Sequence, residues 1–212
     1  RLAYGQCQAI TAVSESLLQA VKEAVGPQDT TLLATVHNGI ETAREIVAPA
    51  AADGRALHIG VLSPLRPGKG HTDFLKAARR LRESHGDVRF SVAGDGELED
   101  SLKNQAEQAG LEIEFLGHLE EPLDYLNSLD LSVIPSHRET FSLVTLETMF
   151  CGRPIVAAES DGVKEVCRGY PAQLYPVGDV EALTQAMTDF CADPEKFQSE
   201  ALAAAERARR DF

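Results

Sequence analysis

The sequence lacks tryptophan altogether. It carries four cysteines, Cys7, Cys151, Cys167 and Cys191, none in a C-x-x-C pair and none beside a histidine cluster. A disulfide framework is therefore not expected, and a zinc site still less; reduced thiols in a cytosolic chain are the expectation. No apolar run approaches the roughly 20 residues that cross a bilayer. Arg1 to Ile10 contain no apolar core of the kind a secretory signal needs. The expected location is the cytoplasm, the inner face of a membrane included. Bases are scarce as well, 20 against 33 acids, for a net charge of −13, which argues against a nucleic-acid or anionic-membrane surface. No Asp-x-Asp motif occurs, and no metal site is expected. Internal repeats are absent, and low complexity is confined to Ala-rich patches.

What is present is the makeup of a folded globular chain: 43% hydrophobic residues and mixed charge over 212 residues, enough for one large or two small domains. Ala9 to Val13 reads as a strand. Ser14 then caps a helix over Glu15 to Val25, with Leu17, Leu18 and Val21 on one face, ended by Gly26-Pro27. A second strand spans Thr31 to Val36 before the turn signal His37-Asn38-Gly39. Residues 41–55 are Ala-rich and irregular and read as a linker.

From residue 56 to residue 191, strands alternate with helices. Ala56 to Leu62 is a buried strand, Ser63 to Gly70 a Gly/Pro-rich loop, and Thr72 to Ser84 a helix. Val88 to Ala93 is a strand ending in Gly94-Asp95-Gly96, glycines that let backbone approach a ligand, and a helix follows over Leu98 to Ala109. A strand over Ile113 to Leu116 opens into the Gly117-His118-Leu119 loop, and Leu123 to Ser128 is a short helix. Ser160-Asp161-Gly162 reads as a loop before a short helix over Val163 to Arg168; Leu174 is strand-like, and Asp179 caps a helix over Val180 to Cys191. The last helix, Pro194 to Arg210, presents Arg207, Arg209 and Arg210, expected to be a solvated face that also suits the helix dipole. This rhythm predicts an α/β fold: a Rossmann-like parallel sheet with helices on both faces.

The chain is organised around residues 133–156, VIPSHRETFSLVTLETMFCGRPIV. The apolar run Leu131 to Ile134 predicts a buried strand, stopped by Pro135-Ser136. A helix is predicted from about Ser142 to Phe150, ended by Gly152 and Pro154, and Ile155 to Ala158 begins another strand. In open parallel sheets, ligands sit at the carboxyl ends of strands, where this loop lies. The first-turn amides of Phe141, Ser142 and Leu143 are unpaired in such a helix and, with its dipole, make an anion site suited to phosphate. Glu139 and Glu147 frame that site. Carboxylates do not bind phosphate; they suit hydroxyl groups such as those of a sugar or a ribose.

The pattern P-S-x-x-E-T-F-S-L-V-x-L-E-T-M-F-C-G-x-P-I-V resembles, nearly position by position, the E-x7-E signature of retaining glycosyltransferases of the two-Rossmann-domain (GT-B) architecture, family 4, the glycosyl transferases group 1. Thr148, where a smaller residue is usual, is a mild departure. The resemblance implies the C-terminal, donor-binding domain of that fold. It places residues 1–40 in the tail of a mostly absent N-terminal acceptor domain with its crossing segment, 41–55 in the linker, 56–193 in the donor domain and 194–212 in the C-terminal helix. Any peripheral membrane contact would then be made by the absent domain.

By the same resemblance, a nucleoside-diphosphate sugar is the donor substrate, with no cofactor and no metal, and the acceptor is unknown. Glu139 would be catalytic and hold the sugar hydroxyls, Glu147 would hold the ribose, and Thr140 and the amides of Phe141, Ser142 and Leu143 would meet sugar and phosphates. The family's G-R-x-x-x-x-K-G loop places Lys69 on the diphosphate. Its arginine position is Pro64 here, and Arg66, two residues on, is expected to reach the same anion. Gly94 would approach the donor, and His118 and Leu119 would lie near the base. The expected activity is hexosyltransferase-like, with this chain inactive by itself. Three alternatives stay open: another enzyme on the same architecture, such as a sugar-nucleotide epimerase or a sugar-releasing phosphorylase-like protein; a non-catalytic sugar-nucleotide binder; and an interaction module that has lost the ligand.

Overall fold

Strand formation follows the apolar runs. The computed structural model describes residues 7–25, 32–40 and 54–212. The expected linker, save residues 54 and 55, lies outside the described residues. Six strands form one parallel sheet: β3 (Leu57–Leu62), β4 (Val88–Ala93), β5 (Glu114–Gly117), β6 (Leu131–Ile134), β7 (Ile155–Ala158) and β8 (Gln173–Tyr175), in the order β5-β4-β3-β6-β7-β8. β6 and β7 are buried along their whole length, as strands covered on both faces must be. The order reverses direction between β3 and β6, where Ile59 pairs with Leu131 and Gly60 with Ser132. Such a switch point parts the loops that leave the two strands and opens a crevice above them.

Helices cover the sheet: α2 (His71–Ser84), α3 (Glu99–Gln108), α4 (Pro122–Ser128), α5 (Leu143–Phe150), α6 (Asp161–Val166), α7 (Val180–Ala192) and α8 (Pro194–Asp211). The main core joins β3, β4, β6 and β7 to α2 and α7 through Ile59, Val61, Phe74, Leu81, Phe90, Val92, Leu183 and Phe190. A second core under α5 and α6 gathers Ile134, Phe141, Leu146, Phe150, Ile155, Val163 and Val166. Polar groups inside the sheet are paired: His58 Nε2 lies 2.7 Å from Ser91 Oγ, which lies 2.8 Å from the Tyr125 hydroxyl. Asp130 accepts from the His58 amide at 2.7 Å and pairs with Arg55. Burial without such partners would cost several kcal/mol per group, roughly 2–7.

Among the described residues, β1 (Ala9–Ala12) and β2 (Leu32–Thr35), joined through α1 (Glu15–Val25), pair only with each other and form a separate two-stranded parallel sheet. In two places the structure departs from the sequence expectation. The short helix α6 begins at Asp161 rather than Val163, because the Lys164 amide already closes a turn on the Ser160 carbonyl at 2.9 Å. The basic group of α8 is a solvated face only in part: Arg207 and Arg210 are exposed, but Arg207 and Arg209 also hold acceptors on the domain. Arg207 donates to the Gly169 carbonyl and lies 4.5 Å over the Tyr170 ring, and Arg209 donates to the Phe150 carbonyl at 3.0 Å. These arginines bind α8 to the body of the domain, where orphan carbonyls attract their donors. Among the described residues no helix is long and apolar enough to cross a membrane.

Candidate functional site

Two loops meet above the switch point. After β3, Ser63 to Gly70 turns inward at Leu65, whose amide donates to Asp95 O at 2.8 Å and whose carbonyl accepts from Leu98 N at 3.0 Å. Gly70, in the left-handed region at φ 73°, ends this loop against β6: a Cβ there would stand 1.9 Å from the Pro135 carbonyl oxygen. After β6, the His137 amide donates to Gly68 O at 2.9 Å, and His137 Nε2 lies 2.6 Å from Asp73 on α2. The second loop is thus tied to the first at two points before it reaches Glu139.

Between the loops lies a cavity of about 280 Å³ at the carboxyl ends of β3 and β6, lined by Asn38, Ser63, Pro64, Lys69, Ser136, Glu139, Thr140, Phe141, Ser142 and Leu143 among others. Lys69 Nζ donates to Glu139 Oε1 across 2.7 Å. Both groups are partly sheltered, and with water thinned around them their charges act at close range. The amides of Phe141, Ser142 and Leu143 find no acceptor among the described residues. Ser142, the cap of α5, is held at φ 66°, the one left-handed non-glycine residue among those described. A left-handed serine costs roughly 1–2 kcal/mol, and its hydroxyl is drawn to Thr145 Oγ1 at 2.7 Å rather than to a helix amide. The first turn of α5 is therefore left open toward the cavity.

The cavity brings together Lys69, Glu139, Thr140, Phe141, Ser142 and Leu143. The other expected residues lie outside its lining. Arg66 is exposed, because the inward turn at Leu65 sends the next side chain out. Gly94 donates its amide to Gly117 O at 2.7 Å and backs onto Ser63, behind the loop. His118 is exposed, 4.0 Å from Asp95, and Leu119 packs against the cluster of Ala93, Tyr125, Leu126 and Leu129. Glu147 is half-buried on α5, and burial raises its carboxyl above the ordinary value, with no hydrogen-bond partner for the side chain among the described residues. Such a group gains from any hydroxyl donor that reaches it.

The sequence reading did not mark three supports of the site. Gly162 donates its amide to Glu139 O at 3.0 Å, and a Cβ there would stand 2.5 Å from Phe141 N. His71 is buried at the start of α2, with Nε2 3.0 Å from Ser63 Oγ; burial, and then the Lys69 charge, lower it to about 4. Asn38 reaches the lining from the β1–α1–β2 unit. The glycine after Ser160-Asp161 was a readable signal of close approach; nothing local marks the other two.

A larger hollow of about 560 Å³ opens at the amino-terminal ends of the strands, among Arg82, Asp87, Arg89, Glu112 and Glu114. It mixes both signs of charge away from the switch point. Among the described residues, no three His, Cys, Asp or Glu side chains are grouped to hold a metal ion. Cys167 is pushed up to about 12 and Cys191 to about 11 by burial, so neither is a reactive thiolate.

Comparison with known proteins gives the family and the fold. Glycogen synthase of Mycobacterium tuberculosis is 33% identical over 207 residues, covering 94% of this chain and 49% of that protein. The 2-deoxystreptamine N-acetyl-D-glucosaminyltransferase of Streptomyces fradiae is 29% identical over 195 residues, covering 84% of this chain and 46% of that protein. The chain thus spans about half the length of these curated relatives. A crystal structure of Anabaena Alr3699/HepE in complex with UDP superimposes with a TM-score of 0.82 at 24% identity, covering 97% of this chain and 60% of that one, and shares its fold. The family model described as glycosyl transferases group 1 matches residues 54–193, which hold the whole six-stranded sheet, both loops of the cavity and α5. With that match over most of its length, the chain belongs to the glycosyl transferases group 1 family.

Proposed function

We propose that this chain is the donor-binding part of a retaining glycosyltransferase of family 4 that moves a sugar from a nucleoside-diphosphate sugar to an acceptor. The observation that carries the reading is the juxtaposition, in one cavity, of Lys69, Glu139 and the open first turn of α5. Departure of the diphosphate builds negative charge on phosphate oxygens. Lys69 and the amides of Phe141, Ser142 and Leu143 are placed to stabilise that charge, each worth more in a sheltered crevice than in water. Glu139, already held by Lys69, is suited to accept from sugar hydroxyls while its charge favours an electron-poor sugar carbon. Glu147, raised by burial and unpartnered, is suited to the ribose hydroxyls. The UDP complexes of structural relatives and the transferase names of the curated relatives support the donor class.

Titration calorimetry with UDP and UDP-glucose, and with the guanine counterparts, tests the reading. Binding of at least one nucleoside diphosphate is expected, weakened about tenfold or more by Lys69→Ala, the worth of one charge-assisted hydrogen bond. Absence of binding across the panel would sink it.

A further inference from the structure

Beside the candidate site, one carboxylate ties α6 to the β1–α1–β2 unit. Glu165, on α6, accepts from the Glu15 amide at 2.8 and 2.9 Å with its two oxygens and from the Ser16 amide at 3.4 Å, so it caps α1 from 150 positions away. The same carboxylate accepts from His37 Nε2 at 2.8 Å. The Glu165 side chain is only 8% exposed. Its burial works against the charge, yet the three donors outweigh that and hold it below the ordinary carboxylate value.

His37 faces two ways. Its ring lies 5.5 Å from the Phe141 ring, tilted by 31°, and 6.0 Å from that of Phe212; Phe141 and Phe212 stand 5.9 Å apart, edge to face. Phe141 is almost fully buried and lines the cavity, and its backbone amide finds no acceptor among the described residues. The next residue in the chain, Asn38, lines that cavity. A displacement of the β1–α1–β2 unit away from Glu165 therefore moves His37, and movement of His37 changes its ring contact with Phe141, a residue of the 139–142 loop.

We propose that Glu165 and His37 are positioning residues that couple the β1–α1–β2 unit to the phosphate-facing amides of Phe141 to Leu143, so that the placement of this unit sets donor affinity. This inference rests on the donor-binding reading. Neither residue touches the donor; each acts through Phe141.

The test is a double-variant cycle read by UDP calorimetry and by amide NMR shifts of Phe141, Ser142 and Leu143. His37→Ala and Glu165→Gln are each expected to weaken UDP about fivefold, within the usual range of couplings between sites. The double variant should be no weaker than either alone. His37→Gln, which keeps a donor for Glu165 but no ring, should shift the same three amides. Glu165→Gln also loosens the α1 cap, so the His37 variants, which leave that cap in place, keep the test open if it fails to fold. UDP affinity within twofold of the parent in both His37 variants, with unmoved amides, would overturn the coupling. Failure of the parent chain itself to bind UDP or any nucleoside diphosphate would instead overturn the donor-binding reading.

Discussion

Glu147 shows how a single residue can cost stability and serve binding. Its carboxylate is half-buried, raised by desolvation, and unpartnered among the described residues. Glu147→Gln removes a charge that the folded state disfavours, so the variant should melt higher, by the equivalent of about 1 kcal/mol. It should also bind UDP about tenfold more weakly, because a charge-assisted hydrogen bond becomes a neutral one. Thermal melting and calorimetry on the same sample check both; a lower melting point with unchanged affinity would make Glu147 a packing residue of α5. His71 carries the opposite bookkeeping with pH. Folded, it titrates at about 4; unfolded, it returns to the ordinary 6.5. Between those values the unfolded chain binds the proton that the folded chain refuses. Its contribution is thus intact above about pH 6.5 and lost as the pH falls toward 4, on the order of 3 kcal/mol in all. Urea midpoints at pH 7 and 4.5 should converge in His71→Gln relative to the parent; an undiminished acid loss in the variant would assign it to other groups. Neither residue's state was legible in the sequence. Position 147 was marked by its spacing from Glu139, but its desolvation depends on neighbours that only the fold supplies.

At the scale of elements, the sequence carried most of the strand and helix positions, because apolar runs and Gly/Pro punctuation are local signals. It read Val88 to Ala93 and Leu131 to Ile134 as they stand. What failed was non-local. The contacts of Arg207 and Arg209 on α8 went unread because their acceptors, Gly169 O and Phe150 O, belong to distant turns. Ser160-Asp161-Gly162 looked like a loop because its composition is that of one, although α6 already begins there. Gly162 carries the sharpest element-level prediction. A Cβ there would stand 2.5 Å from Phe141 N and Thr140 C and 2.6 Å from Glu139 O, all rigid backbone. Gly162→Ala should therefore push the 139–141 segment off α6, costing roughly 1–3 kcal/mol as overpacking does, and weaken UDP at least about fivefold. Gly86, with nothing within 4 Å of its Cβ position, is the control: Gly86→Ala should leave both unchanged or raise stability slightly. Equal behaviour of the two variants would show that the 139–141 backbone yields freely.

For the whole molecule, the parallel sheet with helices on both faces was legible from the alternation of elements, and the place of the 135–142 loop at the carboxyl end of a strand from the apolar run before it; the strand order that sets the switch point was not. The separate pairing of β1 with β2 was not, since nothing in either segment states its partner. Net charge is the one global property read directly from composition, and it sets an unusual condition for a site proposed to face phosphate. The chain carries −13, and the cavity must attract an anion against that field with Lys69 and the first turn of α5, beside Glu139. At about 10 mM salt the screening length is roughly 30 Å, so an approaching diphosphate senses most of the molecule; at about 150 mM it is roughly 8 Å, so only the mouth of the cavity counts. Repulsion by the whole should then slow association at low salt, and the attraction of the mouth should survive at high salt. The association rate constant for UDP, measured by stopped flow, is expected to rise about threefold between those two conditions, whereas that for uridine stays flat. Dissociation should quicken only modestly, because Lys69 lies within the screening length throughout. A rate that falls with salt would mean that the positive mouth of the cavity, not the acidic body, governs the approach of the donor.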